Sequence, residues 1–219
     1  MAQRLFNLIV FDWDGTLMNS TAAIVRSIQA AAESLGQPVP DEQTAAHVIG
    51  LGLPEAMRAV LPGADPAIYP LMGEQFRTFY FQFSQEIVLF DGVMEMLEDL
   101  KARQYTLSVA TGKSRRGLNR AMQETGTGRF FCATRTADET YSKPHPAMLF
   151  EITQELNQQM QRTVMIGDTT HDLLMASNAG AASVAVKYGA HPAHELKRFN
   201  PLYTAESVAS LHDWLKSNA

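Results

Sequence analysis

The sequence LIVFDWDGTL, residues 8–17, organises the interpretation of the whole chain. Its first four residues are apolar, which is typical of a parallel strand buried on both faces. Asp12 and Asp14 follow at once, and in open α/β sheets ligands bind beyond the carboxyl ends of the strands. Residues two apart on an extended chain point the same way, so both carboxylates can face one ligand. A simple polar turn is the alternative, because Asp14-Gly15 is a common turn signal.

Composition narrows the class of protein. The chain has 219 residues, of which 46% are apolar, enough for one large domain or a domain with a smaller companion. Its net charge of −5 argues against a nucleic-acid-binding protein, which usually shows a basic face. We see neither a membrane-spanning run nor a signal peptide and expect a cytoplasmic protein without membrane association. The single cysteine, Cys132, excludes an internal disulfide and is expected to be a small buried residue.

Residues 17–87 are expected to be all-helical. Apolar spacing, capping residues and Gly or Pro stops predict helices over residues 20–36, 41–50, 54–61 and 66–84. Ser20 or Thr21 is the predicted cap of the first of these helices. The fourth carries aromatic residues at helical spacing, and we expect these to form core rather than a ligand cage: Phe76, Phe79, Tyr80 and Phe83.

From residue 88 onward, short apolar runs alternate with helical patterns. Strands are predicted at 105–110, 130–133, 163–166, 182–186 and 202–204, and helices at 91–103, 114–124, 146–156, 168–179 and 206–216. Such alternation indicates an α/β fold, a mostly parallel sheet with helices on both faces. The first strand belongs to this sheet, so the helical segment is an insertion above the ligand edge. We therefore predict a core of residues 1–16 and 88–219 and a cap of residues 17–87.

Acidic side chains follow two of these strands. Asp12 and Asp14 end the first strand, Asp168 ends the strand that starts at Thr163, and Asp172 lies one helical turn further on. Carboxylates brought together repel one another unless a cation compensates. Oxygen ligands without His or Cys favour Mg²⁺. Taken singly, Asp168 and Asp172 can also be explained as a helix cap and a helix-dipole partner.

A second group of residues suits an anion. Thr111 ends another strand, and Gly112 leads into a helix whose N-terminal amides can hold phosphate. Lys143 adds a positive charge, although it can also be a solvated loop lysine and Thr111 a helix cap. Together with the carboxylates, this set suits phosphoryl transfer.

Other motifs lead elsewhere. Gly112-Lys113-Ser114 resembles the end of a P-loop, but Leu107 stands where that motif needs glycine. Gly50-Leu51-Gly52 lacks the third glycine of a dinucleotide fingerprint. We expect His191 and His194, which flank a proline, to be surface residues with little tendency to bind metal.

Four motifs in order carry a family resemblance: DWDGTL at 12–17, Thr111-Gly112, Lys143-Pro144 and GDTTHD at 167–172. With them the chain resembles the haloacid dehalogenase superfamily of hydrolases, most nearly its phosphoglycolate-phosphatase-like members. The resemblance covers nearly the whole chain. It implies a Rossmann-like core with a helical cap, and a Mg²⁺-dependent phosphatase that acts on a small phosphorylated metabolite through an aspartyl-phosphate.

The resemblance also implies roles for the acidic residues. Asp12 would be the nucleophile, and Asp14 would protonate the leaving oxygen and then activate the hydrolytic water. Mg²⁺ would be held by Asp12, the backbone carbonyl of Asp14 and Asp168, with Asp172 reaching it through water.

The remaining motif residues would hold the phosphoryl group, namely Thr111, the Gly112 amide and Lys143. Trp13 stands where leucine is common and is expected to pack away from the ligand.

Several alternatives stay open. Dehalogenases of the superfamily lack the second aspartate, so Asp14 favours phosphate chemistry. Phosphomutase relatives of the β-phosphoglucomutase type often have valine at the Thr16 position, and phosphonate-cleaving relatives use a cap lysine, which residues 17–89 do not contain. A non-catalytic metal- or phosphate-binding module is a further alternative. Candidates for substrate contact in the cap are His47, the loop 50–54 and Arg58; the substrate and the oligomeric state stay open.

Overall fold

The computed structural model describes residues 5–84 and 87–218. Within these residues, six strands form one parallel sheet in the order β3-β2-β1-β4-β5-β6. Their bounds are β1 Leu8–Phe11, β2 Thr106–Thr111, β3 Ala133–Thr136, β4 Thr163–Gly167, β5 Ala182–Val186 and β6 Thr204–Ala205. The predicted α/β fold with a parallel sheet is confirmed.

Helices cover both faces of this sheet and form the cap. Their bounds are α1 Thr21–Ser34, α2 Glu42–His47, α3 Leu53–Val60, α4 Ile68–Phe83, α5 Val93–Ala102, α6 Arg115–Thr125, α7 Ala147–Glu155, α8 Thr170–Ala179, α9 Ala193–Leu196 and α10 Val208–Asn218. Helices α1–α4 all precede residue 84, so the predicted all-helical cap is confirmed.

Strand β1 explains why the chain folds around its first apolar run. All four of its side chains are fully buried. Ile9 and Phe11 pack in one hydrophobic cluster with residues of α5 and α10, whereas Leu8 and Val10 pack in another with residues of α7 and α8. A strand with apolar neighbours on both faces has no polar face to alternate with, which is why the run is continuous.

The cap has a hydrophobic cluster of its own. Apolar side chains from α1, α2, α3 and α4, among them Ile28, Ala45, Met57 and Met72, are buried against one another. The exact domain limits after residues 16 and 87 stay a prediction. Residues 1–4, 85, 86 and 219, which belong to the predicted domain ranges, lie outside the described residues.

Three local predictions need correction. The strand predicted at 130–133 lies at Ala133–Thr136, because residues 127–130 form a 3-10 turn that buries Phe130. The edge strand predicted at 202–204 is Thr204–Ala205. Cys132 is exposed rather than buried, because it sits between that turn and β3.

Within residues 5–84 and 87–218, no helix has both the length and the apolar character needed to cross a bilayer.

Candidate active site at the edge of the sheet

The strand order explains why distant acidic residues meet. Strand β1 lies between β2 and β4, so residues that follow these three strands share one edge of the sheet. Carboxylate oxygens of Asp12, Asp168 and Asp172 lie within 4.8 Å of one another, and all three side chains are buried. The structure therefore brings the predicted acidic cluster together.

Asp168 is held from both sides. The Thr16 hydroxyl donates a hydrogen bond to its Oδ1 at 2.7 Å, and the Ala190 N–H donates to its Oδ2 at 2.7 Å. Burial, together with the charge of Asp172, raises the pKa of Asp168 to about 7, although both hydrogen bonds act in the opposite direction. The carboxylate is therefore fixed in position while its charge is incompletely compensated by the protein.

Asp172 belongs both to the cluster and to a helix cap. Thr169 is the N-cap of α8, and its N–H and hydroxyl donate to Asp172 Oδ2 at 3.0 and 2.7 Å. This capping box confirms the alternative explanation of Asp172 as a residue that stabilises the helix start. Asp168 is not the cap, because Thr169 occupies that position.

Lys143 is the positive charge of the cluster. Its Nζ lies 2.7 Å from Asp12 Oδ1 and 2.6 Å from Asp172 Oδ1, and the side chain is completely buried. Burial lowers the pKa of the ammonium, but the charges of Asp12 and Asp172 outweigh it and raise the pKa above its ordinary value. The alternative of a solvated loop lysine is wrong.

The donor set of this cluster fits a divalent cation. Burial raises the pKa of Asp12 well above its ordinary value, and the charges of Asp172 and Asp168 add to this effect, whereas Lys143 opposes it. Among the described residues, Asp12 Oδ2 has no hydrogen-bonding partner although it is buried. A buried, unpartnered carboxylate oxygen beside two further carboxylates is the arrangement that Mg²⁺, which prefers oxygen ligands, would compensate.

Asp14 has different partners. Lys113 Nζ donates to both of its carboxylate oxygens at 2.9 and 3.0 Å, and the Ser20 hydroxyl donates to Oδ1 at 2.7 Å. Lys113 also lies 3.0 Å from the hydroxyl oxygen of Tyr80, on cap helix α4. Ser20 stands at the N-cap of α1 but makes no capping hydrogen bond, so the capping role predicted for its side chain is wrong.

Lys113 is the residue of this site that sequence reasoning missed. We considered it only within a P-loop resemblance, which the spacing excludes. The sequence feature that could have identified Lys113 as a site residue is its position directly after Thr111-Gly112, at the end of β2. Burial lowers the pKa of Lys113, but the charges of Asp14 and Tyr80 and the hydrogen bonds to both together outweigh it and raise the pKa above its ordinary value.

The residues predicted to bind an anion lie where β2 ends. Thr111 Oγ1 accepts a hydrogen bond from the Lys113 N–H at 3.2 Å, and the cap of α6 is Ser114 rather than Thr111. A Cβ at Gly112 would lie 2.5 Å from the Leu51 carbonyl oxygen and 2.6 Å from that of Gly50. Glycine is thus required at position 112, because the backbone of the cap loop approaches so closely.

Contacts between side chains and backbone close the cap over the core. The Gly52 N–H donates to Ser142 Oγ at 2.6 Å. The Nε2 atoms of His171 and His191 lie 2.9 and 3.1 Å from the His47 carbonyl oxygen. These contacts join the end of α2 and the loop that follows it to the core.

His191 is buried, so its predicted surface location is wrong, whereas His194 is exposed as expected. The Nδ1 of His191 accepts a hydrogen bond from the Thr170 N–H at 3.0 Å. Burial, with the nearby charges of His171 and His47, lowers the pKa of His191 to about 4. The ring is therefore neutral at neutral pH and serves to hold the cap contact.

A cavity of about 900 Å³ lies between cap and core. On the core side its lining includes Asp12, Asp14, Thr111, Gly112 and Lys113. On the cap side it includes the loop 50–54. Lys143, Asp168 and Asp172 are not in the lining. Two of the four aromatic residues predicted as core only, Phe76 and Tyr80, line the cavity.

The remaining cap candidates do not line this cavity. Arg58 is exposed, with its Nη1 3.8 Å from Glu55 Oε1, and His47 contributes its backbone carbonyl to the cap contact instead. Trp13 is fully buried in the core, with its ring 6.4 Å from that of Phe131, so its predicted packing role is confirmed.

Known proteins resemble this chain over nearly its whole length. Residues 9–186 match the family "Haloacid dehalogenase-like hydrolase". A protein of Dickeya dadantii (strain 3937) named "Probable phosphatase IndB" is 34% identical over 95% of both chains. A "Phosphoglycolate phosphatase" of Vibrio parahaemolyticus is 28% identical over 96% of both chains.

Solved structures share the fold. A crystal structure titled as a predicted phosphoglycolate phosphatase from Haemophilus somnus 129PT superposes with a TM-score of 0.86 at 24% identity, covering 97% of this chain and 99% of that one. The chain therefore belongs to the haloacid dehalogenase-like hydrolases, and its relatives in that family place it among the phosphatases.

Proposed function

We propose that the protein is a Mg²⁺-dependent phosphatase that hydrolyses a small phosphorylated metabolite through an aspartyl-phosphate on Asp12. The observation that carries this proposal is the Asp12 carboxylate. Its Oδ2 is buried without a hydrogen-bonding partner among the described residues, and Asp12 also lines the cavity between cap and core. An oriented carboxylate that borders a substrate-sized cavity can act as a nucleophile.

The proposed reaction has two halves. An Asp12 oxygen attacks phosphorus, and the bond from phosphorus to the leaving oxygen breaks as Asp14, which enters this step in its protonated form, gives that oxygen its proton. Asp14 then takes a proton from the water that hydrolyses the aspartyl-phosphate and regenerates Asp12. Lys113 and Ser20, which hold the Asp14 carboxylate, act as positioning residues for this proton transfer.

The remaining residues would bind the phosphoryl group and the metal ion. Thr111, the Gly112 amide and Lys143 would bind the phosphoryl oxygens. Asp12, the Asp14 carbonyl and Asp168 would hold Mg²⁺, with Asp172 reaching it through water. When bound, the ion would shield the negative charge of the phosphate from the nucleophile.

Phosphate release is the direct test of this function. A panel of phosphate monoesters that includes phosphoglycolate, named in a relative, is incubated with Mg²⁺ or with EDTA. We expect inorganic phosphate from at least one ester with Mg²⁺ and little with EDTA. Movement of phosphate within a sugar phosphate, without release, would favour a phosphomutase. Metal binding with no turnover of any ester would favour a non-catalytic binding module.

Thermal melting at two pH values tests metal binding by Asp12, Asp168 and Asp172 without measuring activity. Burial raises the pKa of Asp168 to about 7, above the ordinary value of an unfolded carboxyl. Its contribution to stability is complete below the unfolded pKa and is lost as the pH rises through about 7. We therefore expect the Tm of EDTA-treated protein to fall between about pH 5.5 and about pH 8.

Mg²⁺ binds the ionised carboxylates, so we expect it to raise the Tm more at the higher pH. Asp168→Asn removes one carboxylate and should abolish most of this Mg²⁺ effect, whereas the exposed Asp213→Asn should keep it. Equal Mg²⁺ effects at both pH values would contradict ligation by this cluster.

A further inference from the structure

The cavity stays large although the cap is closed. Cap and core are joined by Gly52 with Ser142, by Tyr80 with Lys113, and by the His47 carbonyl with two histidines. A volume of about 900 Å³ nevertheless remains between them. Pockets that bury most of a drug-sized molecule measure about 300–1,000 Å³. The leaving group of a two-carbon phosphate ester would occupy a small part of this space.

The walls beyond Asp12 are mainly apolar. They are formed by side chains of α1, the cap loop, α3 and α4: Ile24, Ile28, Leu51, Met57, Phe76 and Tyr80. Water left against such a surface is unfavourable, and an apolar group that displaces it contributes to binding. A small acidic leaving group would leave most of these walls in contact with water.

Two aromatic rings form one side of this wall. Phe76 and Tyr80 stack, with centroids 5.7 Å apart and an interplanar angle of 20°. The Tyr80 hydroxyl also lies 3.0 Å from Lys113 Nζ, which holds Asp14. An aromatic ring seated against this pair would therefore be close to the end of the cavity where Asp12 and Asp14 lie.

Charged side chains occupy another part of the lining. Arg77 on α4 and Arg116 on α6 are both exposed and both belong to the lining. A ring with polar substituents can therefore find hydrogen-bond donors there while its flat faces contact apolar walls.

We propose that the substrate is a phosphate monoester whose leaving group carries an aromatic ring, of the size of a nucleoside 5′-monophosphate. The phosphate lies at Asp12, and the ring packs against Phe76 and Tyr80. This inference rests on the proposed phosphatase function and specifies its leaving group.

Two esters with the same bond to be broken provide the test. Uridine 5′-monophosphate and ribose 5-phosphate share a primary ester and a ribose, and only the first carries an aromatic base. We expect kcat/KM for the nucleotide to exceed that for ribose 5-phosphate by about tenfold or more, a gain typical of filling an apolar pocket. Equal values, or a preference for phosphoglycolate over both, would overturn the inference.

Filling the cavity should remove most of this preference. Gly117 of α6 belongs to the lining, and a Cβ there would meet, among the described residues outside its own helix backbone and chain neighbours, only Ser114 Oγ within 4 Å, at 3.3 Å. Gly117→Phe should lower the ratio of the two kcat/KM values by about tenfold, because it occupies the space of the ring. Gly117→Ala is the matched control and should keep the ratio. The same loss in both variants would contradict a steric cause.

A second pair of variants tests the aromatic contact with the substrate without filling the cavity. Phe76→Leu removes an aromatic ring from the cavity and should lower the ratio. Phe79→Leu, three residues along the same helix and packed on the same cap cluster, does not affect the lining and should keep it. Equal ratios for the two variants would show that the Phe76 ring does not contact the ring of the substrate.

Binding to Asp12→Asn separates this inference from the proposed function. If calorimetry with Mg²⁺ shows tighter binding of the nucleotide than of ribose 5-phosphate while wild type releases no phosphate from any ester, the function fails and the ring seat stands. Phosphate release with no such difference in binding or turnover leaves the function standing and refutes the ring seat.

Discussion

Asp12→Asn is expected to abolish phosphate release, lowering kcat by at least about 10⁴-fold, a loss of the size seen when a nucleophile is removed. An amide oxygen does not form the aspartyl-phosphate, yet the side chain keeps its shape and can still accept from Lys143, 2.7 Å from Asp12 Oδ1. Phosphate release under saturating ester and Mg²⁺ measures the effect.

The fold should survive this change. Asp12 shares its surroundings with Asp168 and Asp172, and the charges of both raise its pKa. Removing one of three buried carboxylates relieves repulsion, so we expect an unchanged or higher Tm in EDTA. Asp213→Asn, on the surface, is the control and should retain full activity. Near-normal turnover by purified Asp12→Asn would contradict the nucleophile assignment.

Lys143→Met is expected to destabilise the protein by about 3–5 kcal/mol, the usual cost of leaving buried charges without their partner. Methionine has nearly the length of lysine, so the change removes the charge with little change in packing. Asp12 and Asp172, which lie 2.7 and 2.6 Å from Lys143 Nζ, would then face each other without compensation. Urea denaturation in EDTA measures the free energy of unfolding.

A double variant tests whether the charge is the cause. Lys143→Met combined with Asp172→Asn removes one of the two uncompensated carboxylates, and part of the lost stability should return. Lys216→Met, which breaks the exposed pair with Asp213, should cost at most about 1 kcal/mol. A loss for Lys143→Met no larger than this control would show that the buried ion pair contributes little to stability.

Local sequence pattern predicted most of the helices and strands of the fold. The continuous apolar run of β1 predicts a strand buried on both faces, and helical spacing predicts α1–α4 before any contact is known. The short apolar run 130–133, predicted as a strand, was placed wrongly. Phe130 fills the core from a 3-10 turn, and β3 begins three residues later than predicted.

The chain also carries, in order, the residues that meet at the edge of the sheet. Parallel strands end at one edge, so carboxylates after two of them can be predicted to converge on a cation. Their convergence within 4.8 Å depends on β1 lying next to β4, an order that the sequence pattern does not contain.

Partners of individual side chains were decided by tertiary structure alone. Lys113 pairs with Asp14 and Tyr80 across 99 and 33 residues, and His191 is buried because the end of α2 packs against it. The volume left under the closed cap depends in the same way on how two hydrophobic clusters are placed. Periodicity records only which face of an element is apolar, whereas a pairing or a cavity depends on the distance between elements far apart in the chain.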